Sequence, residues 1–456
     1  MANHKKLTFM VRSLGCKTNQ YEKDVIAAQM RKIGLEQIEE GGADVFILNT
    51  CAVTAEASRK SRQILRQLRK YNPQAIAIAM GCECELFDLT PWADICVGTA
   101  GRNSICQRLI SLLEAKGETD LFSPESRAYA EKLALQAAAD QDNCSFEEPF
   151  VSVIPSETRA QLKICDGCNN RCAYCAIRLA RSQVRSRNLE SILQEAADYV
   201  QQGIREIVLT GIEICSYGDD FPSGSPDLTI VLNELNKIDG LCRIRLSSLD
   251  PARIDRKFIE TIAHLEKLCA HFHLSLQSGS DAVLQRMGRK YNTSQYLKVV
   301  RDLRAIWPDA GFTTDIICGF PGETAQEFEE TYDFCRTVGF QKLHVFPYSR
   351  RPGTKAASLP NQVPFPIKKQ RSGRLLELSE EMAAEQCSLR IGTNASVLLE
   401  REVAPGIGEG YTRTYLPCVF RLPNSGQKAQ AGDLFSVRLG KCDGGVLSGF
   451  SLHSDG

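Results

Sequence analysis

The chain has 456 residues, 43% of them apolar and 24% charged, with a formal net charge of zero. That length suits about three domains of ~150 residues each, and a neutral total rules out an overall field for nucleic acid, leaving only local basic patches. No apolar run approaches the ~18–20 residues of a membrane span, and Met1-Ala-Asn-His-Lys-Lys6 does not read as an export signal. The 19 cysteines are then expected in a reducing cytoplasm, as metal ligands or buried thiols rather than disulfides.

In chain order, residues 7–13 read as a strand that ends at Gly15-Cys16, with a helical pattern from near Asn19. A second strand, 44–49, breaks at Thr50-Cys51, and Thr54 is placed to cap a helix running to about Lys70. A third strand, 75–80, ends at Gly81-Cys82. Strands alternating with helices imply a parallel sheet, and ligands bind beyond the carboxyl ends of such strands. Cys16, Cys51 and Cys82 are therefore expected on one edge as a three-thiol metal site, with helix N-termini favouring thiolates. Three unrelated buried cysteines are the other reading, and Cys84 offers a competing thiol beside Cys82. The helix after Cys51 carries Arg59, Lys60, Arg62, Arg66, Arg69 and Lys70 with no acidic residue between them, which suits a phosphate backbone; a solvated helix face is the alternative.

This first unit is expected over residues 1–115. Residues 116–150 are polar and Ala-rich and read as a helical or loose connector. From 151 to 385, six strand candidates (160–165, 205–210, 242–247, 272–276, 312–317 and 342–347) alternate with helical patterns. Six βα units predict an incomplete (βα)6 parallel barrel, since a full one has eight, with chemistry at the C-terminal strand ends. After strand one comes Cys168-Asn-Asn-Arg-Cys172-Ala-Tyr-Cys175, three thiols spaced C-x3-C-x2-C. Soft thiolates select zinc, copper(I) or iron–sulfur clusters. A structural zinc site is closed by four ligands, whereas a cubane on three leaves one iron open. A zinc knuckle completed by Cys165, or a four-cysteine electron-transfer cluster, uses the same residues differently. The other strand ends carry Gly211 and Glu213, Ser247 and Ser248, Gln277, and Gly319 with Glu323, all expected to line a ligand site with Tyr174. Residues 386–456 show short β-like runs at 396–400, 414–420, 434–439 and 446–451, expected to form a small antiparallel barrel of a kind that often binds nucleic acid.

With these residues in place, the chain resembles the methylthiotransferase family of radical S-adenosylmethionine (SAM) enzymes along nearly its whole length. The matching stretches are Gly15-Cys16-Lys-Thr-Asn19, Asn49-Thr-Cys51-Ala-Val53, Gly81-Cys82, Asp166-Gly-Cys168 through Cys175, and Arg185-Ser-Arg187. The C-terminal barrel resembles that family's RNA-binding TRAM domain. His273-Leu-Ser-Leu-Gln277-Ser-Gly-Ser280, Met287-Gly-Arg289-Lys-Tyr291 and Val345 to Thr354 look most like the branch acting on threonylcarbamoyladenosine in tRNA. The other branches act on isopentenyladenosine in tRNA or on a ribosomal-protein aspartate. The resemblance implies two [4Fe-4S] clusters, one on Cys168, Cys172 and Cys175 and one on Cys16, Cys51 and Cys82. It also implies SAM bound through Tyr174, Gly211, Glu213, Ser247, Ser248, Gln277, Gly319 and Glu323, a tRNA anticodon loop as substrate, and an electron-donor protein. Here Cys82 is followed by Glu83-Cys84-Glu85, where relatives have an aromatic, a small residue and Gln. The thirteen cysteines outside the two triads are expected to be buried small apolar residues.

Overall fold

The computed structural model describes residues 6–423 and 429–454; the lack of an export signal was read on residues that lie mostly outside that range. The chain opens with β1 (Thr8–Ser13), α1 (Lys17–Lys32), β2 (Glu36–Gln37), β3 (Val45–Thr50), α2 (Ala55–Tyr71), β4 (Ile76–Gly81), α3 (Cys82–Leu86), β5 (Ile95–Val97) and α4 (Ile105–Ala115). Its five strands lie in the order β2-β1-β3-β4-β5, every pair parallel. β3 and β4 are buried at every position, as expected of strands covered on both faces. Thr54 caps α2 as read, its side chain accepting from the Ala57 amide at 3.1 Å. The connector stretch carries α5 (Pro124–Asp142), whose Ala130 and Leu133 pack into the core of this first sheet with Phe122.

The central unit follows with β6 (Ala160–Lys163), β7 (Cys165–Asp166), α6 (Ile177–Arg181), β8 (Arg185–Ser186), α7 (Leu189–Gln201), β9 (Glu206–Thr210), α8 (Leu228–Asn236), β10 (Arg243–Leu246), β11 (Ser248–Leu249), α9 (Arg256–Ile262), β12 (His271–Leu274), α10 (Asp281–Met287), α11 (Thr293–Ile306), β13 (Gly311–Cys318), α12 (Ala325–Val338), β14 (Lys342–Pro347) and α13 (Phe365–Ser388). β6-β9-β10 and β11-β12-β13-β14 are parallel sheets, stitched together where Cys269 donates to the Ile244 carbonyl at 2.8 Å. The result is a barrel of six main strands that stays open between β6 and β14. α1 closes on the β6 side, where Lys163 Nζ reaches Glu22 Oε1 at 2.8 Å. α13 covers β14, the Leu343 amide donating to Ser379 Oγ at 2.9 Å.

The C-terminal unit is a closed barrel in the order β15-β16-β17-β19-β18, from β15 (Asn394–Ala404), β16 (Ile407–Thr412), β17 (Pro417–Arg421), β18 (Leu434–Asp443) and β19 (Val446–Ser454). Four of its seams are antiparallel; β17 and β19 pair in parallel. It seats against the N-terminal strand ends of the central barrel. Arg243 Nη2 donates to the Ser396 carbonyl at 2.7 Å, and Arg245 Nη1 to the Arg413 carbonyl at 3.1 Å. Glu206 joins both arginines, at 3.2 and 2.7 Å. No helix among the described residues is long and apolar enough to cross a membrane.

Candidate active site

The loop after β6 is pinned at its base by the antiparallel pair β7–β8, with Cys165 opposite Ser186 and Asp166 opposite Arg185. Gly167 turns there at φ 73°, and a Cβ on it would stand 1.8 Å from the Gln183 carbonyl oxygen, so only glycine fits. The Cys168 amide donates to the Ser182 carbonyl at 3.2 Å, and the Ala173 amide to the Met287 carbonyl at 2.8 Å. So held, Cys168, Cys172 and Cys175 line one cavity of about 280 Å³ at the C-terminal mouth of the barrel. Tyr174, Glu213, Ser248 and Gln277 line it too. Gln277 sits in the left-handed region at φ 69°, uncommon for a non-glycine residue, where strand pairing with Ile316 holds it.

Two groups outside the expected ligand set complete this wall. Arg289 Nη1 donates to Cys172 Sγ at 3.2 Å, while its Nε holds Tyr291 Oη at 3.0 Å. Asp250 accepts from Arg289 Nη2 at 3.4 Å and from Asn170 Nδ2 at 3.0 Å. Burial pushes the Cys175 thiol up to about 12, with Cys172 adding to it.

The remaining expected ligand contacts sit elsewhere. Gly211 packs against Cys165, whose sulfur would lie 2.7 Å from a Cβ at 211. Cys165 is fully buried behind the loop, 3.6 Å from the Glu213 carbonyl, so it does not join the three thiols in the cavity lining. Ser247 Oγ is buried without a partner. Glu323 accepts from the Gly319 amide at 2.8 Å and pairs with Arg371 of α13 at 2.5 Å, which makes both groups part of the α13 seat rather than of the cavity wall.

The first sheet brings Cys16, Cys51 and Cys82 together at its C-terminal edge. Cys16 precedes α1, Cys51 follows β3, and Cys82 opens α3 after Gly81 at φ 97°. Gly15, at φ 101°, lies so close that a Cβ there would stand 2.7 Å from Cys51 Sγ. Burial pushes the Cys51 thiol up to about 12, Cys16 and Cys82 adding to it, and raises the Cys82 thiol as well. At Cys51 and Cys82 the expected thiolate bias from helix N-termini is thus outweighed by desolvation. Cys84 lies instead with Cys96 in an apolar cluster at the sheet. Among the described residues no three such side chains are set to hold a single metal ion. A cubane is larger, and each of its three thiolates binds a different iron.

Arg181 links Cys82 to Asp166 at the base of the Cys168 loop. It is fully buried. Its Nε donates to Cys82 Sγ at 3.2 Å, its Nη2 to Asn19 Oδ1 at 3.0 Å, and its Nη1 to Glu22 at 2.7 Å and Asp166 at 3.0 Å. Burial would raise both carboxyls, but Arg102, Arg181 and Lys163 hold them well below the usual carboxylate range.

The cations of α2 are less free than their sequence suggests. Arg62 pairs with buried Glu83 at 2.5 Å and Arg69 with Asp94 at 2.7 Å. Arg59 pairs with Glu56, yet it and Lys60 stay exposed, as do Arg66 and Lys70. Glu83, one of the departures noted after Cys82, also accepts from Ser58 Oγ at 2.5 Å and faces Arg351 at 3.8 Å.

Comparison with known proteins fits this geometry. The Radical SAM superfamily model matches residues 162–335, and the uncharacterized protein family UPF0004 matches residues 8–97. The threonylcarbamoyladenosine tRNA methylthiotransferase MtaB of Thermotoga maritima is 36% identical over 95% of this chain and 94% of its own. The Bacillus subtilis protein of that name is 34% identical over 95% and 93%. The chain belongs to the radical SAM methylthiotransferases. Within this family a tRNA-2-methylthio-N(6)-dimethylallyladenosine synthase from Caldicellulosiruptor saccharolyticus is also similar, 34% identical over 90% of this chain and 86% of its own. Among solved structures, the radical SAM methyltransferase TsrM from Kitasatospora setae shares the fold, with a TM-score of 0.54 at 15% identity over 89% of this chain and 77% of that one. Membership in the family brings SAM and [4Fe-4S] clusters as cofactors. The donor sets suit them: two groups of three soft thiols, one of which opens on a cavity.

Proposed function

We propose that the protein methylthiolates C2 of N6-threonylcarbamoyladenosine beside the anticodon of tRNA. The observation that carries the substrate is the full-length similarity to proteins of that name. Cys168, Cys172 and Cys175 hold one cluster, and Cys16, Cys51 and Cys82 the other. When bound, the clusters and SAM supply the reducing electron, the radical that removes the C2 hydrogen, the sulfur and the methyl group.

The protein's own residues position and shield these groups. Arg289 donates to Cys172 and Arg181 to Cys82, and these bonds fix where each sulfur sits. Glu213, Ser248, Gln277 and Tyr174 line the cavity where SAM binds. Val53 and Thr54 reach the same cavity from the first sheet, as do Phe346 and Tyr348 at the end of β14. A base flipped from an unpaired loop enters this cavity. The C-terminal barrel and the exposed cations of α2 take the RNA backbone. A protein electron donor and a cytoplasmic setting complete the reading.

Anaerobic reconstitution of Cys51→Ala tests it. The variant should lose one cluster's worth of iron and all thiolation while still cleaving SAM. Cys172→Ala should lose SAM cleavage. Undiminished thiolation by Cys51→Ala would defeat the assignment.

A further inference from the structure

A second cavity, of about 230 Å³, is lined by Cys16 and shares no lining residue with the first. All three units build it. Gly15, Cys16 and Lys17 come from the first, Arg159, Gln161 and Arg245 from the central one, and Tyr415 from the C-terminal barrel. Three cations meet there, against Glu157 as the one carboxylate in the lining. The guanidiniums are fixed in place. Arg159 stands 5.1 Å from the ring centres of both Tyr411 and Tyr415, and Arg245 lies 4.6 Å over Tyr415. Glu400 takes Arg159 Nε at 3.2 Å, and Glu206 takes Arg245 Nε at 2.7 Å. Lys17 has no ion-pair partner among the described residues. Asp315, which lines the first cavity, is close enough to Lys17 to act on its charge, so the two cavities are neighbours.

A further observation points to a ligand. Gln161 is only 9% exposed, lines this cavity, and has a side-chain oxygen with no partner. A buried acceptor left without its donor is costly. The cavity is therefore built for a ligand that brings a hydrogen-bond donor beside a negative charge. In a purine, C2 and C6 both flank N1, so the C2 hydrogen and a substituent on N6 emerge on the same edge of the base. A base that presents C2 to Cys16, Cys51 and Cys82 turns its N6 substituent toward the surroundings of those cysteines. The threonylcarbamoyl substituent ends in a carboxylate with a hydroxyl beside it.

We infer that this cavity selects the substrate by holding its threonyl group: Lys17 and Arg159 take the carboxylate, and the Gln161 oxygen accepts from the threonyl hydroxyl. The inference rests on the reading of threonylcarbamoyladenosine as the substrate. Arg245 keeps Arg159 company without being free to move, because Glu206 and the Arg413 carbonyl already hold it. An isopentenyl group is apolar throughout and leaves both the free cation and the buried amide unpaired. A site built to hydrogen-bond its substrate rejects an analogue that cannot return the bonds.

The test is binding of three anticodon stem-loops to the anaerobically reconstituted holoenzyme, read by fluorescence anisotropy. One carries threonylcarbamoyladenosine, one its carboxylate methyl ester, and one unmodified adenosine. The parent should bind the acid about tenfold more tightly than the ester. Lys17→Gln and Arg159→Gln should each erase most of that preference while binding the unmodified stem-loop as the parent does. Iron per chain checks that both clusters remain; should Lys17→Gln lose iron, Arg159→Gln decides alone. A parent without the preference, or a preference that survives both variants, overturns the proposal. So does equal weakening toward all three stem-loops, since the cations then hold the RNA backbone. A raised half-saturating SAM concentration with the acid preference intact gives these cations to the SAM carboxylate and overturns it too. The substrate reading fails separately, if the parent thiolates an isopentenyladenosine stem-loop and leaves the threonylcarbamoyladenosine one untouched.

Discussion

At the scale of single residues, Arg181 and Ser182 carry the most consequence. Arg181 is fully buried among Glu22, Asp166, Asn19 and Cys82. Removing one partner of such a buried network costs about 3–5 kcal/mol, because the carboxylates left behind stay unpaired. Arg181→Met should therefore lower stability by that order in chemical denaturation of the metal-free chain; a loss under ~1 kcal/mol would contradict the network. Ser182 stands at φ 58°, ψ −151°, a region open essentially to glycine, and its carbonyl receives the Cys168 amide. Ser182→Gly should stabilise by about 1 kcal/mol, and a lowered unfolding midpoint would show that the side chain matters more than the strain. The C-x3-C-x2-C spacing was legible because its residues are adjacent in sequence. Arg181 was not, because its partners Asn19, Glu22 and Cys82 lie far upstream and nothing local marks an arginine for burial. Burial of the other thirteen cysteines was only partly foreseeable: Cys106 and Cys269 are buried, but Cys144 is exposed at the end of α5.

Among the elements, the main strands of the parallel sheets followed their apolar runs, since a strand covered on both faces has no polar side to confuse the reading. β16 went unread because its sequence is Ile407-Gly-Glu-Gly-Tyr-Thr412, and glycine argues against a strand. Packing overrides that preference: a Cβ on Gly410 would stand 1.9 Å from the Leu398 carbonyl oxygen, and one on Gly408 2.6 Å from Leu399 Cδ1. α2 shows the opposite failure. Its six cations looked uniformly free, but Glu83 and Asp94, distant in sequence, take Arg62 and Arg69. The exposed pair Arg59 and Lys60 is thus the better test of RNA contact. Arg59→Glu with Lys60→Glu should weaken binding of an anticodon stem-loop and reduce the salt slope by about 2, with the melting temperature unchanged. An unaltered slope would return α2 to being an ordinary solvated helix.

Over the whole molecule, buried ion pairs join the first unit to the central one and, inside the central one, hold the arginines that receive the C-terminal barrel; these set the response to acid. Burial would raise the Glu206 carboxyl, but Arg245 and Arg243 overcome it and hold the group at about 2. An unfolded glutamate titrates near 4.3. The stability from this depression is present above that value and is lost as pH falls from about 4 toward 2. Glu206→Gln should flatten the stability profile in that window; an unchanged slope would place the acid sensitivity elsewhere. The three-unit order and the open six-strand barrel were readable from patterning. How the units dock was not, because the docking contacts join backbone carbonyls to arginines of another unit, as Ser396 and Arg413 do.

The central claim is the chemistry and its base. The direct measurement is mass spectrometry of nucleosides after anaerobic turnover of the reconstituted enzyme with three stem-loops, carrying threonylcarbamoyladenosine, isopentenyladenosine or unmodified adenosine beside the anticodon. A 2-methylthio product on the first alone is predicted. Product on the isopentenyladenosine stem-loop instead, or on none while SAM is still cleaved, would contradict it.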